Sequence, residues 1–410
     1  MGEPKITHRP LVEISVDGGP DIGDKFTKFE WASFINGGYI IRAKITDYHF
    51  NILTDLATKQ YLKDGRKKET PVKFKAKWAA GESTSERTAF ITTLDSRGSF
   101  TDGELEFIAI DPPSFYLNEG TADGRAYKGK VSTVIRQVIN DFAPAVTNVE
   151  ITETNDNSEN IWWMMRQDPK TFIRSLLDWS SSVTPNKTHW IVASVDNKLI
   201  IKEQAELQPF DFGIYHVNQK TNSGGTDILS FEMLANNFVS PLQTKLITSG
   251  ISSISGEYLD KITDIGENKV HIKDQNTANK VNVNITQSQG FSKPDKKWAT
   301  SVMAIPEHNA GDLGLQYSQY IDGRARGMFL NMLNLVMRMK LRVYGEVKAD
   351  DSSKLGVATA TVKWIGKDNE PYFLGGRWLV YGFHHIVTVD GWVTDIYLSR
   401  LDHDASAKKV

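Results

Sequence analysis

Residues 72–78 constrain the fold of this chain more than any other part of the sequence. They read Val-Lys-Phe-Lys-Ala-Lys-Trp, so apolar side chains alternate strictly with Lys73, Lys75 and Lys77. Successive side chains of a β-strand point to opposite faces of its sheet, so the pattern predicts a strand with one buried and one solvated face. Similar alternation at residues 41–46 and 104–109 predicts two more strands, and we expect a β-rich protein.

Length and composition exclude several classes of protein. A chain of 410 residues is too long for one ordinary core, and about two to four domains are expected. The sequence contains no cysteine, which excludes disulfides, thiolate metal sites and cysteine nucleophiles. Its formal charge of -2 lacks the basic excess of nucleic-acid-binding proteins, so nucleic acid is not the expected main partner.

Helical spacing of apolar residues marks four segments, residues 52–62, 131–142, 169–180 and 321–339. In each segment, apolar side chains recur every three or four positions and would share one helix face. Asp168 immediately precedes the third segment, and Pro169 begins it. This pair predicts a capping residue followed by proline at the first helical position.

Strand patterns occupy much of the remaining sequence, and two dipeptides predict tight turns. Asp196-Asn197 lies between patterns at 189–195 and 199–203, and Asp390-Gly391 lies between patterns at 377–387 and 392–401. Both dipeptides suit two-residue hairpin loops. Further strands are predicted at residues 245–255, 281–285, 341–348 and 356–365.

No group of residues has the spacing of a catalytic or metal site. His384 and His385 are neighbours on a predicted strand and would point to opposite faces, so we do not expect them to bind one metal ion. The acidic runs at 17–24 and 155–160 resemble calcium loops but lack the ligand order of an EF-hand. We interpret both runs as turns, and we expect no metal, no cofactor and no enzymatic activity.

The basic face formed by Lys73, Lys75 and Lys77 has two interpretations. In the first interpretation, the strand is a solvated sheet edge whose charges prevent aggregation. In the second, the strand forms an interface with a partner.

Three passages carry a resemblance to a known family when they are taken in order. They are AIDPPSFYL at 109–117 with 124–135, MMRQDPKTFIRSLL at 164–177 with 198–201, and FLGGRWLVYGFHH at 373–385 with 391–398. Together they resemble the baseplate hub proteins of contractile phage tails and the related amino-terminal part of type VI secretion spike proteins. The polar residues 208–319 have no counterpart in this resemblance.

The resemblance implies an α+β, mainly β fold with two tube-type β-barrel domains, an α/β domain between them and a polar insertion. The expected domains are a first tube-type domain at 1–116, an α/β domain at 117–208, and a second tube-type domain made of 209–262 and 317–403. A surface insertion is expected at 263–316 and a tail at 404–410. The family motifs place structural roles on Tyr127, Trp378, Gly382, His385 and Gly391.

The resemblance also implies a function in assembly. A homotrimer would form a pseudo-sixfold ring that joins a hexameric tail tube to a trimeric central spike. Expected partners are the tail tube protein, the spike protein, other baseplate proteins and tape-measure proteins, with DNA at most passing through a channel. The protein is expected in the virion, at the tail baseplate, after assembly in the host cytoplasm, without stable membrane insertion.

Two alternative functions remain open from the sequence. A tail-associated cell-wall hydrolase would need a catalytic site that the sequence does not reveal. A carbohydrate-binding module would use Trp162, Trp163 or Trp392 to stack on sugars, although core packing of aromatic residues is the commoner outcome.

Overall fold

The computed structural model describes residues 10–60, 69–78, 82–99, 101–119, 124–154, 156, 158–178, 180, 190–203, 206–208, 210–217, 226–236, 269–273, 278–282, 337–364 and 374–400. Of these residues, 58% lie in strands and 19% in helices, so the predicted mainly β fold with β-barrel structure is confirmed. None of the described helices combines the length and the apolar character needed to cross a membrane.

In its described residues, the first β unit contains six strands and one α-helix. These are β1 (Pro10–Val16), β2 (Phe26–Phe34), β3 (Tyr39–Thr46), α1 (Asn51–Gln60), β4 (Pro71–Trp78), β5 (Arg87–Ser99) and β6 (Asp102–Ile110). The strands pair antiparallel in the order β1-β4-β5-β6-β3-β2. The alternation that predicted β4 is confirmed, because Val72, Phe74 and Ala76 are buried.

The middle unit combines helices with small sheets. It contains α2 (Pro112–Glu119), β7 (Arg125–Lys128), α3 (Val131–Phe142), β8 (Asn148–Ile151), β9 (Ile161–Met164), α4 (Pro169–Asp178), β10 (Trp190–Val195) and β11 (Lys198–Glu203). The apolar faces of α3 and α4 share a core separate from that of the β units. Asp168 caps α4 as predicted, since its Oδ1 accepts a hydrogen bond from Thr171 N at 2.8 Å.

The second β unit is a closed barrel. Its strands are β12 (Phe210–Val217), β13 (Thr226–Asn236), β16 (Met337–Tyr344), β17 (Ala358–Trp364), β18 (Gly376–Thr388) and β19 (Gly391–Arg400). They pair in the order β12-β17-β18-β19-β16-β13, and β13 also pairs with β12, which closes the barrel. A separate hairpin consists of β14 (Lys269–Lys273) and β15 (Ala278–Asn282).

The two β units repeat one strand order. When β1 to β6 are matched in sequence order to β12, β13, β16, β17, β18 and β19, both sheets follow the same arrangement. The first strand differs in direction, because β1 runs antiparallel to β4 whereas β12 runs parallel to β17. Five strands of each unit are therefore equivalent in both position and direction.

The two units are joined edge to edge by β2 and β18, which pair antiparallel from Gly382 opposite Phe34 to Thr388 opposite Lys28. The joint creates one twelve-stranded sheet over one continuous apolar core. The relative position of the units is thus set by backbone hydrogen bonds and by shared packing rather than by a linker.

Three predictions need correction where the structure describes them. Residues 337–339 belong to β16 and not to a helix, because Met339, Leu341 and Val343 alternate with basic residues and point into the barrel. β16 also ends at Tyr344 rather than Lys348. The final hairpin loop is Val389-Asp390, since Gly391 already pairs with Thr388.

The Pro112-Pro113 pair follows the end of β6 and begins α2, a helix that the sequence pattern did not predict. Proline is tolerated in the first turn of a helix because the N–H groups there have no partner within the helix. The predicted elements at 245–255, 283–285 and 321–336 lie outside the described residues.

Candidate functional site

His385 lies at the centre of the joint between the two β units. The residue is fully buried on β18, opposite Trp31 of β2. Its Nδ1 accepts a hydrogen bond from Trp392 Nε1 at 3.1 Å, and its Nε2 lies 2.6 Å from the Ala349 carbonyl oxygen. Indole nitrogen only donates and a carbonyl only accepts, so the proton is on Nε2 and the imidazole is neutral. Burial lowers the pKa of His385 to about 4.

His384 points to the opposite face of the same strand, as predicted, and its Nε2 lies 3.6 Å from Glu30. In the described residues, no cluster of three or more histidine or acidic side chains could hold a metal ion. The acidic run near the amino terminus is a turn, because Asp21 Oδ1 accepts hydrogen bonds from Ile14 N and Gly23 N, both at 2.8 Å.

Aromatic rings fill the space around His385. The Trp31 ring centroid lies 4.8 Å from His385 and 5.8 Å from Phe383. Trp78 stacks on Trp392 at 5.1 Å, and its Nε1 donates to the Gly345 carbonyl oxygen at 3.2 Å. Rings from both β units therefore pack into one cluster, which makes the joint rigid.

Gly382 admits an aromatic ring on the outer face of the joint. A Cβ at this position would lie 2.3 Å from Phe34 Cδ1, so only glycine lets the Phe34 ring rest on the β18 backbone. The ring then lies 4.9 Å from Tyr397. By contrast, a Cβ added at Gly391 would meet nothing within 4 Å.

The other family-motif residues lie in different surroundings. Trp378 is fully buried at the start of β18 and donates from Nε1 to the Leu374 carbonyl oxygen at 3.0 Å. Tyr127 belongs to the core of the middle unit, and its hydroxyl donates to Asp141 Oδ2 at 3.0 Å. The structure thus brings Gly382 and His385 to the joint but leaves Tyr127 in the separate core.

Arg87 holds three parts of the chain together. Its Nη1 lies 3.0 Å from Asp196 Oδ2, at the tip of the β10–β11 hairpin of the middle unit. Its Nε and Nη2 donate to the Asp350 carbonyl oxygen of the second β unit at 3.2 and 3.0 Å. Arg87 itself starts β5 of the first unit and is almost buried. No feature of the sequence distinguished this arginine.

Asp111 forms a second polar contact between the first β unit and the middle unit. Its Oδ1 accepts hydrogen bonds from Ser114 N at 2.9 Å and from Ser194 Oγ at 2.5 Å. Burial raises the pKa of Asp111, while the bonds from Ser194 and Ser114 lower it. Its Oδ2 is buried without a hydrogen-bond partner. This oxygen lies against Gly38, because a Cβ added at Gly38 would be only 1.6 Å from it.

A row of paired charges crosses the outer face of both β units. Its ion pairs are Lys28 with Glu30 at 2.8 Å, Arg42 with Glu106, Lys44 with Glu104 at 3.2 Å, Arg342 with Asp395 at 2.7 Å, and Lys340 with Glu232 at 2.5 Å. Arg42 lowers the pKa of Glu106, so that carboxylate stays ionised. The row follows the repeated strand order of the two units.

The basic strand does not form a sheet edge, because β4 lies between β1 and β5. The interpretation of Lys73, Lys75 and Lys77 as a solvated edge is therefore wrong. Lys77 pairs with Glu13 of β1, and Lys73 lies 3.7 Å from Glu86. A role for this strand as a subunit interface stays a prediction.

The tryptophans proposed to stack on sugars are mostly buried. Trp162 donates from Nε1 to the Gly129 carbonyl oxygen at 2.9 Å, and Trp392 belongs to the joint. Trp163 points outward with 64% of its surface exposed. A sugar-binding platform of several tryptophans is thus not present at these positions.

Solved structures share this fold, although no family model and no curated protein sequence matches the chain. A tail protein from Neisseria meningitidis MC58 has a TM-score of 0.53 at 11% identity, with 98% of each chain covered. The 43 kDa tail protein of prophage MuSo2 from Shewanella oneidensis has a TM-score of 0.52 at 12% identity, covering 98% of this chain and 99% of that chain.

A third similar structure comes from a secretion system. The E. coli c3393 protein, a component of the type VI secretion system with structural similarity to T4 bacteriophage tail proteins gp27 and gp5, has a TM-score of 0.50 at 9% identity. The match covers 95% of this chain and 76% of that protein. This chain has a phage tail protein fold. The resemblance stated from the sequence is confirmed at the level of the fold.

Proposed function

We propose that this protein is a structural hub of a phage tail. Three copies would form a ring of six β units and join a hexameric tail tube to a trimeric central spike. The observation that carries the proposal is the fusion of two β units with the same strand order through the rigid β2–β18 joint. A chain with two equivalent units needs only threefold symmetry to present six of them.

The buried contacts support a geometric role. Arg87 and Asp111 tie the middle unit to the β units, and His385 is enclosed at the joint. These groups fix the relative position of the units and are shielded from any substrate. The proposed location is the tail baseplate of the virion, and the proposed partners are the tail tube, the spike, other baseplate proteins and tape-measure proteins.

The proposal is tested by the molar mass of the purified chain at micromolar concentration, measured by multi-angle light scattering. A trimer that appears as a ring with a central channel in electron micrographs is expected. A monomer at this concentration would contradict the proposal. Zymography on cell walls tests the hydrolase alternative, and clearing by the pure chain would contradict a purely structural role.

A further inference from the structure

The two β units correspond residue by residue around their longest hairpins. In the first unit, β5 and β6 pair up to Ile91 opposite Ala109, skip Thr92, and resume with Thr93 opposite Ile108. In the second unit, β18 and β19 pair up to Val380 opposite Leu398, skip Tyr381, and resume with Gly382 opposite Tyr397. The shared irregularity equates β5 with β18.

A second shared irregularity equates β2 with β13. One residue is skipped between Phe26 and Lys28 in β2, and one between Ile228 and Ser230 in β13. Beyond it, Phe29 and Phe231 occupy equivalent positions opposite β3 and β16. Each chain therefore carries a second set of the strands that form the β2–β18 joint. In this set β13 is equivalent to β2, and β5 is equivalent to β18.

β5 offers the edge that a second joint of this kind would need. In the second unit, β18 pairs with β17 only as far as Leu379, and β2 occupies the edge that is left. Likewise β5 pairs with β4 only from Arg87 to Phe90. Among the described residues, no strand pairs with residues 93–99 on the side of β5 that faces β4.

β13 offers the complementary edge. It pairs with β12 only at Thr226 and Asp227, and no described strand follows along that side. This part of β13 also exposes large apolar side chains, with Leu229 and Phe231 each 42% exposed. The equivalent Phe29 lies in the part of β2 that pairs with β18, and it is fully buried, with its ring 5.6 Å from that of Phe74.

We propose that β13 of one copy pairs antiparallel with β5 of the next copy, so that the β2–β18 joint is repeated between chains. The inference rests on the proposed ring and names its subunit contact. Such a head-to-tail contact joins different surfaces of the two copies and generates a closed ring when the rotation permits. Joints within and between chains would then alternate around six β units.

The residue equivalences give the register of this contact. Ser99 lies opposite Ser230, Arg97 opposite Glu232, and Ser96 opposite Met233. Arg97 and Glu232 have opposite charges and side chains that are 75% and 58% exposed. In the single chain, Arg97 pairs with Asp95 at 3.0 Å, so the contact would extend an existing charge pair across the interface.

Disulfide trapping tests the register directly, because the natural chain has no cysteine. Ser99→Cys and Ser230→Cys are combined in one chain, and the purified protein is oxidised and run on a denaturing gel without reductant. Opposed residues of antiparallel strands lie about 4.5–5.5 Å apart between Cα atoms, which a disulfide can span. Covalent dimers and trimers are expected. The control pair Ser99→Cys with Thr226→Cys is out of register and should give monomers.

Charge reversal tests the same contact without cross-linking. Arg97→Glu alone and Glu232→Arg alone are expected to shift the light-scattering mass from trimer toward monomer, and the double variant is expected to restore the trimer. Lys73→Glu probes the alternative subunit interface on β4 under the same conditions, and the proposed contact predicts that it leaves the trimer intact. Unchanged far-ultraviolet circular dichroism spectra show that the single variants still fold.

The outcomes separate this inference from the proposed function. A trimeric natural chain that fails to cross-link through Ser99→Cys and Ser230→Cys overturns the proposed contact and leaves the hub function standing. A trimer broken by Lys73→Glu but not by Arg97→Glu also overturns it, in favour of an interface on β4. A monomeric natural chain overturns both the contact and the ring.

Discussion

The guanidinium group of Arg87 lies 3.0 Å from the carboxylate of Asp196, which joins the first β unit to the tip of a hairpin in the middle unit. The same guanidinium donates to the Asp350 carbonyl oxygen. One buried side chain therefore connects all three parts of the protein, and its removal affects their relative position as well as stability.

Arg87→Ala is expected to lower the free energy of unfolding by about 2–3 kcal/mol, below the usual cost of breaking a fully buried ion pair because Asp196 is partly exposed. Urea unfolding followed by tryptophan fluorescence measures the change. Arg136→Ala removes an exposed arginine of α3, outside the proposed subunit contact, and should cost about 0.5 kcal/mol or less. Equal losses for the two variants would argue against the role given to Arg87.

The pH dependence of stability is expected to report His385. Its pKa of about 4 in the folded protein lies below the value of 6.5 for an unperturbed histidine. The unfolded state therefore binds more protons between these values, and the contribution of neutral His385 is lost as the pH falls from about 6.5 to about 4. The full effect is about 3 kcal/mol.

His385→Gln should flatten this part of the stability profile, because glutamine does not titrate. Chemical unfolding of both proteins at pH 7, 5.5 and 4.5 measures the difference. If the two profiles stay parallel over this range, His385 is not the group responsible. The comparison of slopes does not depend on how much the substitution itself destabilises the protein.

Gly382→Ala is expected to lower the free energy of unfolding by about 1–3 kcal/mol, because the added methyl group would collide with the Phe34 ring. Thermal unfolding measures the loss. Gly391→Ala is the matched control, since open space surrounds that position. Combining Gly382→Ala with Phe34→Ala should cost less than the sum of the single changes, and strict additivity would contradict the proposed contact.

Asp111→Asn is expected to maintain or raise stability at neutral pH. Burial raises the pKa of Asp111, so the folded state holds its proton more tightly, and stability falls as the pH rises through the folded pKa. Asparagine is neutral at every pH and removes this dependence. Urea unfolding at pH 7.5 and pH 4 tests the change, and a large loss at pH 7.5 would show that the charged form stabilises the fold.

The sequence alone was sufficient to predict those strands and helices in which local periodicity agrees with burial. Strict alternation predicted β4, the apolar stripe predicted α3, and the Asp-Pro pair predicted the start of α4, because each pattern depends on a period of two or 3.6 residues. The same reasoning failed at residues 337–339, the start of β16, where methionines suited both periods. Pairing with β13 and β19 decided that segment as a strand.

Only the tertiary structure revealed the joints. The Arg87–Asp196 pair spans 109 residues of sequence, and no local pattern marks either partner. The repeat of the two β units is also absent from the sequence pattern, because equivalence lies in strand order and in skipped residues rather than in residue identity. Sequence periodicity determines which face of each strand is buried, whereas the choice of neighbouring strand depends on long-range packing and hydrogen bonding.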